Sequence, residues 1–208
     1  MPKPFIVSGT DTGIGKTAAA ALLTLGLGAH YWKPIQSGTE DGTDTATVKG
    51  LTGLPDSRFL PEAYVLTEPL SPHRSAELDG VEISLDRLAL PPVDGPLIVE
   101  GAGGLMVPVT RQLLQIDLFK HWAAPVILCA RTGLGTINHT LLSVEALRAR
   151  GMDLHGLLFI GDDNPDNIRT IAEFSGARIL GRLPWLEPLH AQSLKAVFAE
   201  TFSVEDFQ

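Results

Sequence analysis

Cysteine is nearly absent from this chain of 208 residues, which contains a single one, Cys129. One cysteine excludes an internal disulfide and any zinc site built from several cysteines. Cys129 lies in the apolar run Val126–Ala130, a setting in which a thiol is usually buried. We therefore predict an inert, buried thiol and not a nucleophile.

Positive charge is also scarce: 16 lysines and arginines stand against 24 aspartates and glutamates, which gives a formal net charge of −8. The isoelectric point lies near 5.2. Non-specific binding of DNA or RNA needs a basic face, so this balance argues against a nucleic-acid partner. An anionic small ligand is still compatible with it, because a local site can be positive on an acidic protein.

Long apolar runs are missing as well. The longest nearly apolar stretch, Ala18–Ala29, is interrupted by Thr24, Gly26 and Gly28 and is too short to cross a bilayer. The chain begins Met1-Pro2-Lys3-Pro4 and enters a strand-like run at once, so we expect no signal peptide. The expectation is a soluble cytoplasmic protein without membrane contact.

Short apolar runs rich in β-branched residues alternate with helical patterns along the chain. This alternation is typical of an α/β protein with a mostly parallel sheet flanked by helices on both faces. The predicted strands are Phe5–Val7, Tyr31–Pro34, Leu97–Val99, Val126–Ala130, Leu154–Ile160 and Ala177–Leu183. The predicted helices are Thr17–Leu27, Thr45–Leu51, Leu113–Trp122, Ile137–Arg150 and Asn164–Phe174.

Two segments are harder to assign from their pattern. The proline-rich stretch Pro55–Pro96 has few periodic segments, and we interpret it as excursions around an active site with one helix near Ser84–Leu90. The end of the chain, His190–Gln208, is predicted to be helical and then to fray. Because no linker, repeat or low-complexity tract interrupts the sequence, we expect a single domain over residues 1–208.

A glycine-rich loop follows the first predicted strand and opens an alanine- and leucine-rich helix. Its residues are Gly9-Thr10-Asp11-Thr12-Gly13-Ile14-Gly15-Lys16-Thr17. In this position backbone N–H groups and a helix N-terminus can hold phosphate oxygens, Lys16 can reach the β- and γ-phosphates, and Thr17 can ligate Mg²⁺. Five residues separate Gly9 from Gly15, where the standard pattern has four. The sequence therefore predicts a P-loop NTPase-like fold that binds ATP or a close relative.

Two carboxylates are candidates for holding the metal of that nucleotide. Glu100 ends the predicted strand Leu97–Val99, at the edge of an open α/β sheet where ligands bind. The residues after it, Gly101-Ala102-Gly103-Gly104, permit close approach of the backbone to a ligand. Asp44 is the second candidate, although an aspartate in such a polar turn is by itself more often a helix cap. Carboxylate oxygens are ligands that suit Mg²⁺.

Several segments beyond this loop resemble those of one family, the dethiobiotin synthetases. The loop Gly9–Thr17 shares the family's five-residue spacing, and Lys33–Gly38 is similar to its Lys-Pro-x-x-Ser-Gly segment. Further similar segments, in family order, are Ser71-Pro72-His73, Glu100-Gly101-Ala102-Gly103-Gly104, Gly135-Thr136-Ile137-Asn138-His139-Thr140 and Leu183-Pro184-Trp185-Leu186. The resemblance covers the chain from about residue 5 to about residue 190.

The resemblance implies an ATP- and Mg²⁺-dependent ligase that closes a cyclic urea in biotin biosynthesis. Its substrates would be CO₂ and 7,8-diaminopelargonic acid, and its products dethiobiotin, ADP and phosphate. One amine would capture CO₂ as a carbamate, which attacks the γ-phosphate to give a carbamic–phosphoric anhydride. The second amine would then attack the activated carbonyl and expel phosphate. Such chemistry needs fixed cations, because the carbamate and the γ-phosphate are both anionic.

The resemblance also implies roles for individual residues. Lys33 and Lys16 would be the catalytic cations, and Thr12 would lie near the reacting amine. Ser37 would hydrogen-bond the diamine or its carbamate. The magnesium ligands would be Thr17, Asp44 and Glu100. The nucleotide would be bound by Gly13, Ile14, Gly15, Lys16, Thr17, Ala18, Asp44, Glu100, Gly101, Ala102, Gly103, Pro184, Trp185 and Leu186.

A second copy of the chain is implied by the same resemblance. In the family, the matching segment of a partner subunit receives the carboxylate of the substrate on backbone N–H groups at a helix N-terminus, which is a ready anion site. Here the corresponding residues are Gly135, Thr136, Ile137 and Asn138. The expectation is a homodimer with active sites at the subunit interface.

The sequence departs from the family pattern at two positions. Gly13 stands where some members carry a glutamate in the phosphate loop. Gly161 stands where the family often has an asparagine that hydrogen-bonds the adenine base. Since base selection depends on such hydrogen bonds, we expect looser nucleotide preference, with other nucleoside triphosphates accepted beside ATP. Asn164, three positions later, is an alternative source of the missing amide.

Two other kinds of protein share a P-loop of this type. One is the ATP-dependent domain of a cobyric or cobyrinic acid synthetase, but those enzymes carry a glutaminase domain with a catalytic cysteine, for which this chain has no room. The other is a regulatory P-loop switch of the partitioning-ATPase type. Such switches usually carry a second lysine near the start of the loop, where this chain has Ser8, Gly9 and Thr10.

Overall fold

The structure is a computed structural model that describes residues 4–207. Outside the described residues are Met1, Pro2, Lys3 and Gln208. The structure therefore does not test what the sequence predicts for the first three residues and for the last one.

Within residues 4–207, seven strands form one parallel sheet in the order β4-β2-β6-β1-β7-β8-β9. A separate two-stranded parallel pair joins β3 and β5. The strands are β1 (Pro4–Gly9), β2 (His30–Trp32), β3 (Ile35–Ser37), β4 (Phe59–Leu60), β5 (Tyr64–Leu66), β6 (Leu97–Gly104), β7 (Val126–Arg131), β8 (Leu154–Ile160) and β9 (Ile179–Leu183). This topology confirms the predicted α/β class with a parallel sheet.

The α-helices of the described chain connect these strands and cover the sheet. They are α1 (Lys16–Gly26), α2 (Asp44–Thr52), α3 (Pro72–Asp79), α4 (Gln115–Trp122), α5 (Thr136–Ala149), α6 (Pro165–Ser175) and α7 (Ala191–Thr201). None of the helices within residues 4–207 is both long enough and apolar enough to cross a membrane.

The core lies on both faces of the sheet, because successive residues of a strand point to opposite sides. On one face Phe5 and Val7 of β1 pack with residues of α1, α2 and α7. On the other face Ile6 packs with residues of α3, α4, α5 and α6. Strands buried on both faces have continuous apolar sequences, which explains runs such as Val126–Ala130. Packing on both faces holds the central strands in position. Because the strands are parallel, their carboxyl ends lie along one edge of the sheet, where the candidate active site is found.

The structure corrects the prediction for Lys33. The sequence suggested a strand over Tyr31–Pro34, but β2 ends at Trp32, and Lys33 lies in the link to β3. Pro34 has no N–H to donate to a ladder, so a continuous strand through it is unfavourable. The chain therefore leaves the main sheet at Lys33 and pairs again with β5.

The proline-rich stretch contains more structure than its pattern indicated. Helix α3 begins at Pro72, where the missing N–H of proline is tolerated in the first turn, and it ends at Asp79, followed by Gly80 with φ 67°. The helix expected near Ser84–Leu90 is a short 3₁₀ turn over Leu85–Leu88, before two prolines.

The end of the chain is also more ordered than predicted. After α7 a 3₁₀ turn spans Val204–Phe207, and the ring of Phe207 packs edge-on against Phe5. The expected fraying is therefore wrong up to residue 207.

Candidate active site

The phosphate loop lies between β1 and α1, at the carboxyl edge of the sheet. Gly13 and Gly15 adopt φ values of 66° and 97°, which favour glycine. A side chain at Gly9 would meet Ile14 Cδ1 at 2.6 Å, so the loop could not close over a larger residue. The side chain of Ile14 is buried in the hydrophobic core and anchors the loop to it. The loop geometry thus depends on these small residues and on one apolar anchor.

Lys16 is the first residue of α1 and is largely buried. Its Nζ donates a hydrogen bond to the backbone oxygen of Asp11 at 2.7 Å, so the side chain folds back over the loop. Burial lowers the pKa of the Lys16 ammonium, and the positive charge of Lys33 lowers it further. The next helical residues, Thr17 and Ala18, are half-buried.

Three oxygen-bearing side chains from different elements meet beside Lys16. The hydroxyl of Thr17 in α1 lies 3.1 Å from Asp44 Oδ1 and 3.0 Å from Glu100 Oε1. Asp44 is the first residue of α2, and Glu100 lies in β6. Thr43, and not Asp44, caps α2 by accepting a hydrogen bond from the N–H of Ala46. The carboxylate of Asp44 is therefore not used as the cap, and it accepts from Thr17.

Lys33 completes this cluster. Its Nζ lies 2.6 Å from Asp44 Oδ2 and 3.1 Å from Glu100 Oε1, and it donates a hydrogen bond to the oxygen of Gly101 at 3.2 Å. Lys33 is only 4% exposed and Glu100 only 1%, so the ion pair is shielded from water. Buried charges persist when paired and hydrogen-bonded in this way.

The charges in the cluster shift one another's pKa values. Burial acts to lower the pKa of Lys33, but the charges of Glu100 and Asp44 outweigh it and the net direction is upward. Burial acts to raise the pKa of Asp44, and the charge and hydrogen bond of Lys33 outweigh it, so this pKa lies below its ordinary value. Lys33 is therefore an ammonium and Asp44 a carboxylate at neutral pH.

The donor set of Thr17, Asp44 and Glu100 fits a magnesium ion. One hydroxyl and two carboxylates supply hard oxygen ligands, and Mg²⁺ in nucleotide sites is held by few protein ligands of this kind. No group of three or more His, Cys, Asp or Glu side chains able to hold a metal occurs within residues 4–207. A metal here would thus rely on this hydroxyl, on the nucleotide and on water for its remaining ligands.

A cavity of about 550 Å³ opens next to the cluster. Its lining includes Lys16, Lys33 and Ser37. The hydroxyl of Ser37 is buried and has no hydrogen-bond partner among residues 4–207. Since buried polar groups are normally paired, this hydroxyl is free to bind a ligand in the cavity. Of the remaining predicted residues, the cavity is lined by Thr12, Gly13, Gly15, Thr17, Asp44, Glu100, Ala102 and Gly103.

Gly101 contributes its backbone oxygen to Lys33 and has no room for a side chain. A Cβ there would lie 2.6 Å from the ring of Phe119. Gly101, which is one of the residues expected to bind the nucleotide, can therefore contact a ligand only through its backbone.

Two groups of predicted residues lie away from this cavity. Pro184, Trp185 and Leu186 follow β9 and do not line it. A Cβ at Gly161 would lie 3.7 Å from Trp185 Nε1, so these two loops are neighbours.

The loop after β8 has no space for the amide side chain common in the family. Gly161 has φ 128°, and a Cβ there would lie 2.7 Å from Thr132 Oγ1. Asn164 is engaged elsewhere: its side chain caps α6 by accepting from the N–H of Asn167 and donates to the oxygen of Thr132 at 3.1 Å. Asn164 is thus a structural cap in this conformation.

The second remote group is Gly135–Asn138 at the start of α5. Gly135 precedes the helix with φ 90° and provides no side-chain cap. Thr136 is committed to its own loop, since its hydroxyl donates to the oxygen of Arg131. None of these four residues lines the 550 Å³ cavity of the same chain. Leu134, just before them, is fully exposed.

Sequence reasoning missed three residues that shape the site. Gln36 accepts from the N–H of Asp44 at 2.9 Å and donates to the oxygen of Gly38, so it joins β3 to α2. Tyr31 donates to Glu100 Oε2 at 2.9 Å. Arg131, at the end of β7, donates to the oxygen of Gly13 at 3.0 Å. Position at the end of an apolar strand was an available signal for Arg131, whereas Tyr31 in the middle of β2 gave none.

Comparison with known proteins identifies relatives over the full length of the chain. An AAA domain family matches residues 3–193. The chain is 58% identical to the ATP-dependent dethiobiotin synthetase BioD of Rhodopseudomonas palustris strain HaA2, over 100% of this chain and 97% of the relative. It is 57% identical to the ATP-dependent dethiobiotin synthetase BioD of Novosphingobium aromaticivorans, over 98% of each chain.

The fold also has a distant relative among solved structures. The septum site-determining protein MinD of Pyrococcus horikoshii OT3, in complex with Mg-ADP, is 12% identical, with a TM-score of 0.55 over 100% of this chain and 89% of that one. This likeness concerns the fold alone. The high identity over full length supports the synthetase prediction and neither alternative, and the chain belongs to the ATP-dependent dethiobiotin synthetase family.

Proposed function

We propose that this chain, acting as one domain, is an ATP- and Mg²⁺-dependent cyclo-ligase that makes dethiobiotin for biotin synthesis. It joins CO₂ to 7,8-diaminopelargonic acid while ATP becomes ADP and phosphate. The observation that carries the proposal is the convergence of Lys16, Lys33 and the unpaired hydroxyl of Ser37 on one cavity beside Thr17, Asp44 and Glu100. Identity of 58% to a dethiobiotin synthetase over the whole chain supports the choice of reaction.

The two lysines stabilise negative charge that develops during the reaction. Lys33 is held by a short link between two strands and by two carboxylates, so its ammonium is fixed before substrates arrive. Preorganised cations of this kind lower the barrier because they need no reorganisation in the transition state. Lys16, folded over the loop, does the same at the β- and γ-phosphates. When bound, Mg²⁺ supplies further charge neutralisation on the phosphate oxygens.

Ser37 and Thr12 orient the diamine. Ser37 lies in β3 with its buried hydroxyl unpaired, which suits a hydrogen bond to the amine or to the carbamate formed from it. Thr12 lines the same cavity from the phosphate loop. A substrate held between two elements keeps the carbamate oxygen in line with the γ-phosphate, and such positioning is a large part of the rate gain. The second amine then attacks the activated carbonyl and phosphate leaves.

A homodimer completes the site in this proposal. The carboxylate at the far end of the diamine would be received by the α5 N-terminus, Gly135–Asn138, of the second copy. Apolar exposure supports this arrangement: Met106 and Leu142 are more than half exposed and line a cleft of about 360 Å³ next to Thr12. The test is the mass in solution with and without a Leu142→Glu change, since a charge in an apolar contact should dissociate a dimer. A monomeric wild-type protein would refute it.

Nucleotide choice is expected to be loose. Gly161 has no side chain to read the base, and Asn164 is engaged as a helix cap. We propose that Pro184–Leu186 contacts the base mainly through its backbone and the exposed Trp185 ring. Comparison of kcat/KM for ATP, CTP and GTP tests this, and a preference for ATP of several orders of magnitude would contradict it. The cytoplasmic location stays a prediction.

The decisive experiment measures phosphate release and incorporation of labelled bicarbonate into an acid-stable product. Both should require ATP, Mg²⁺ and the diamine together. Lys33→Ala should lower the rate by about 100-fold or more, as loss of a preorganised charge contact does. Lys49→Ala is the matched control, because Lys49 pairs with Asp56 on the surface of the protein. Phosphate release that is indifferent to the diamine would refute the ligase.

A further inference from the structure

Tyr31 is buried completely in β2 and makes one side-chain hydrogen bond, to Glu100. Strands β2 and β6 are neighbours in the sheet, with Tyr31 opposite Ile98, two residues before Glu100. The phenol hydroxyl donates to Glu100 Oε2 at 2.9 Å. Because Tyr31 also packs against the ring of Phe59, its own orientation is fixed by the core.

The two oxygens of the Glu100 carboxylate therefore have different partners. Oε2 accepts from Tyr31. Oε1 accepts from Thr17 at 3.0 Å and from Lys33 at 3.1 Å. The tyrosine thus prevents rotation of the carboxylate and leaves a single oxygen facing the cluster of Thr17, Asp44 and Lys33.

We propose that Tyr31 is a positioning residue that presents one oxygen of Glu100 to the metal and thereby favours Mg²⁺ over Ca²⁺. The inference rests on the proposed function, since it concerns the same metal site. Mg²⁺ is small and is bound through one or two carboxylates, whereas Ca²⁺ takes more oxygens and often both oxygens of a carboxylate. Bidentate binding would need Oε2, which already accepts from Tyr31, so Ca²⁺ competes with that hydrogen bond whereas Mg²⁺ held through Oε1 does not.

A purely structural role for Tyr31 makes a different prediction. A buried tyrosine usually finds a hydrogen-bond partner, and loss of that bond alone would lower stability without changing which metal binds. Partners of metal ligands, in contrast, affect metal affinity by about 10-fold or more when removed. The two roles are separated by measuring metal binding directly, without turnover.

The test uses Tyr31→Phe, which removes one hydroxyl and keeps the ring. The second tyrosine of the chain provides the control. Tyr64 is also buried, and its hydroxyl accepts from the N–H of Ser84, so Tyr64→Phe removes one buried hydroxyl and its hydrogen bond outside the metal cluster. Mn²⁺ binding to each protein with ADP is followed by electron paramagnetic resonance, and Mg²⁺ and Ca²⁺ are then titrated as competitors. Binding of ADP without metal is measured in parallel.

In Tyr31→Phe we expect Mn²⁺ affinity to fall by about 10-fold and the preference for Mg²⁺ over Ca²⁺ to shrink by a similar factor. ADP affinity without metal should stay unchanged, and Tyr64→Phe should match the wild type in every binding measurement. An unaltered Mg²⁺/Ca²⁺ preference in folded Tyr31→Phe overturns the inference while the metal site stands. Wild-type protein that binds no Mn²⁺ with ADP overturns the metal site of the proposed function as well.

If Tyr31→Phe does not fold, 3-fluorotyrosine at position 31 keeps the hydroxyl and strengthens it as a donor. A stronger bond to Oε2 should then increase the preference for Mg²⁺ over Ca²⁺. An unchanged preference contradicts the role proposed for Tyr31.

Discussion

Replacement of Lys33 by methionine should destabilise the metal-free protein more than any surface charge change. Methionine has a similar length but no charge, so the change leaves the carboxylates of Asp44 and Glu100 without their shared cation. Nζ of Lys33 lies 2.6 and 3.1 Å from the two, and the side chains of Lys33 and Glu100 are 5% and 1% exposed. The remaining neighbour with a positive charge, Lys16, is committed to the oxygen of Asp11.

The magnitude follows from the burial of the pair. Removing one partner of a buried ion pair typically costs about 3–5 kcal/mol, because the other charge stays buried and uncompensated. Since the side chain of Asp44 is 30% exposed and can recover some hydration, we expect a loss near the lower end, about 3 kcal/mol. For a protein of this size that corresponds to a Tm lower by roughly 6–12 °C.

The assay is urea and thermal unfolding in chelator, with Lys49→Met as control. The side chains of Lys49 and Asp56 are 48% and 83% exposed, so their ion pair contributes little and the control should change stability by less than about 1 kcal/mol. Saturating Mg²⁺ should recover more stability in Lys33→Met than in the wild type, because a cation among the two carboxylates replaces the lost charge. Equal effects of the two substitutions in chelator would refute the reasoning.

Three further predictions concern the core, the amino end of β8 and the loop after β8. Burial raises the pKa of Cys129 to about 12, so at pH 8 about one thiol in ten thousand is ionised. Ellman's reagent should therefore react at once with the urea-unfolded protein. With the native protein it should react only as fast as the fold opens to expose the thiol. Burial lowers the pKa of His155, so in the window below about pH 6.5 the unfolded chain binds more protons and stability falls as the pH falls. Tm measured from pH 7 to pH 5 should show this slope in the wild type and a smaller one in His155→Gln; an equal slope in both would exclude His155 as its source. Gly161→Ala places a Cβ 2.7 Å from Thr132 Oγ1 at a residue with φ 128° and should lower the free energy of unfolding by about 1–3 kcal/mol. Gly176→Ala, at a residue with a positive φ but with open space around it, should lower it less. The reverse order in urea unfolding would contradict the steric argument.

Local patterns were sufficient to predict the phosphate loop and the strands of the main sheet except β4, which lies in the proline-rich stretch. Parallel strands that are buried on both faces show as apolar runs, and the loop Gly9–Thr17 needs glycines at fixed places. Glu100 could be predicted at the carboxyl edge because it follows such a run. Each of these signals is contained within a few neighbouring residues, so no knowledge of the tertiary structure was needed.

Other features depend on contacts that no local pattern contains. The bond between Tyr31 and Glu100 requires the register of β2 against β6, which the sequence does not specify. Gln36 looks like any polar residue in a turn until α2 is placed against it. Helix α3 was missed because prolines usually end helices, whereas Pro72 occupies the first turn, where its missing N–H costs nothing.

The same lysine that the proposed reaction needs also balances the charge of the ligand-free site. Lys16 and Lys33 bring two positive charges to the floor of the cavity, and Asp44 and Glu100 bring two negative ones. The balanced charges allow the two carboxylates to stay buried in the ligand-free protein, and in the proposed reaction the ammonium of Lys33 would contact phosphate and carbamate oxygens. If the proposed reaction is right, activity and stability are coupled at Lys33, since one substitution removes both the counter-ion of the carboxylates and the charge assigned to catalysis. Rates of Lys33 variants have to be compared at equal folded fraction, and only the loss that persists there measures the contribution of Lys33 to the chemical step.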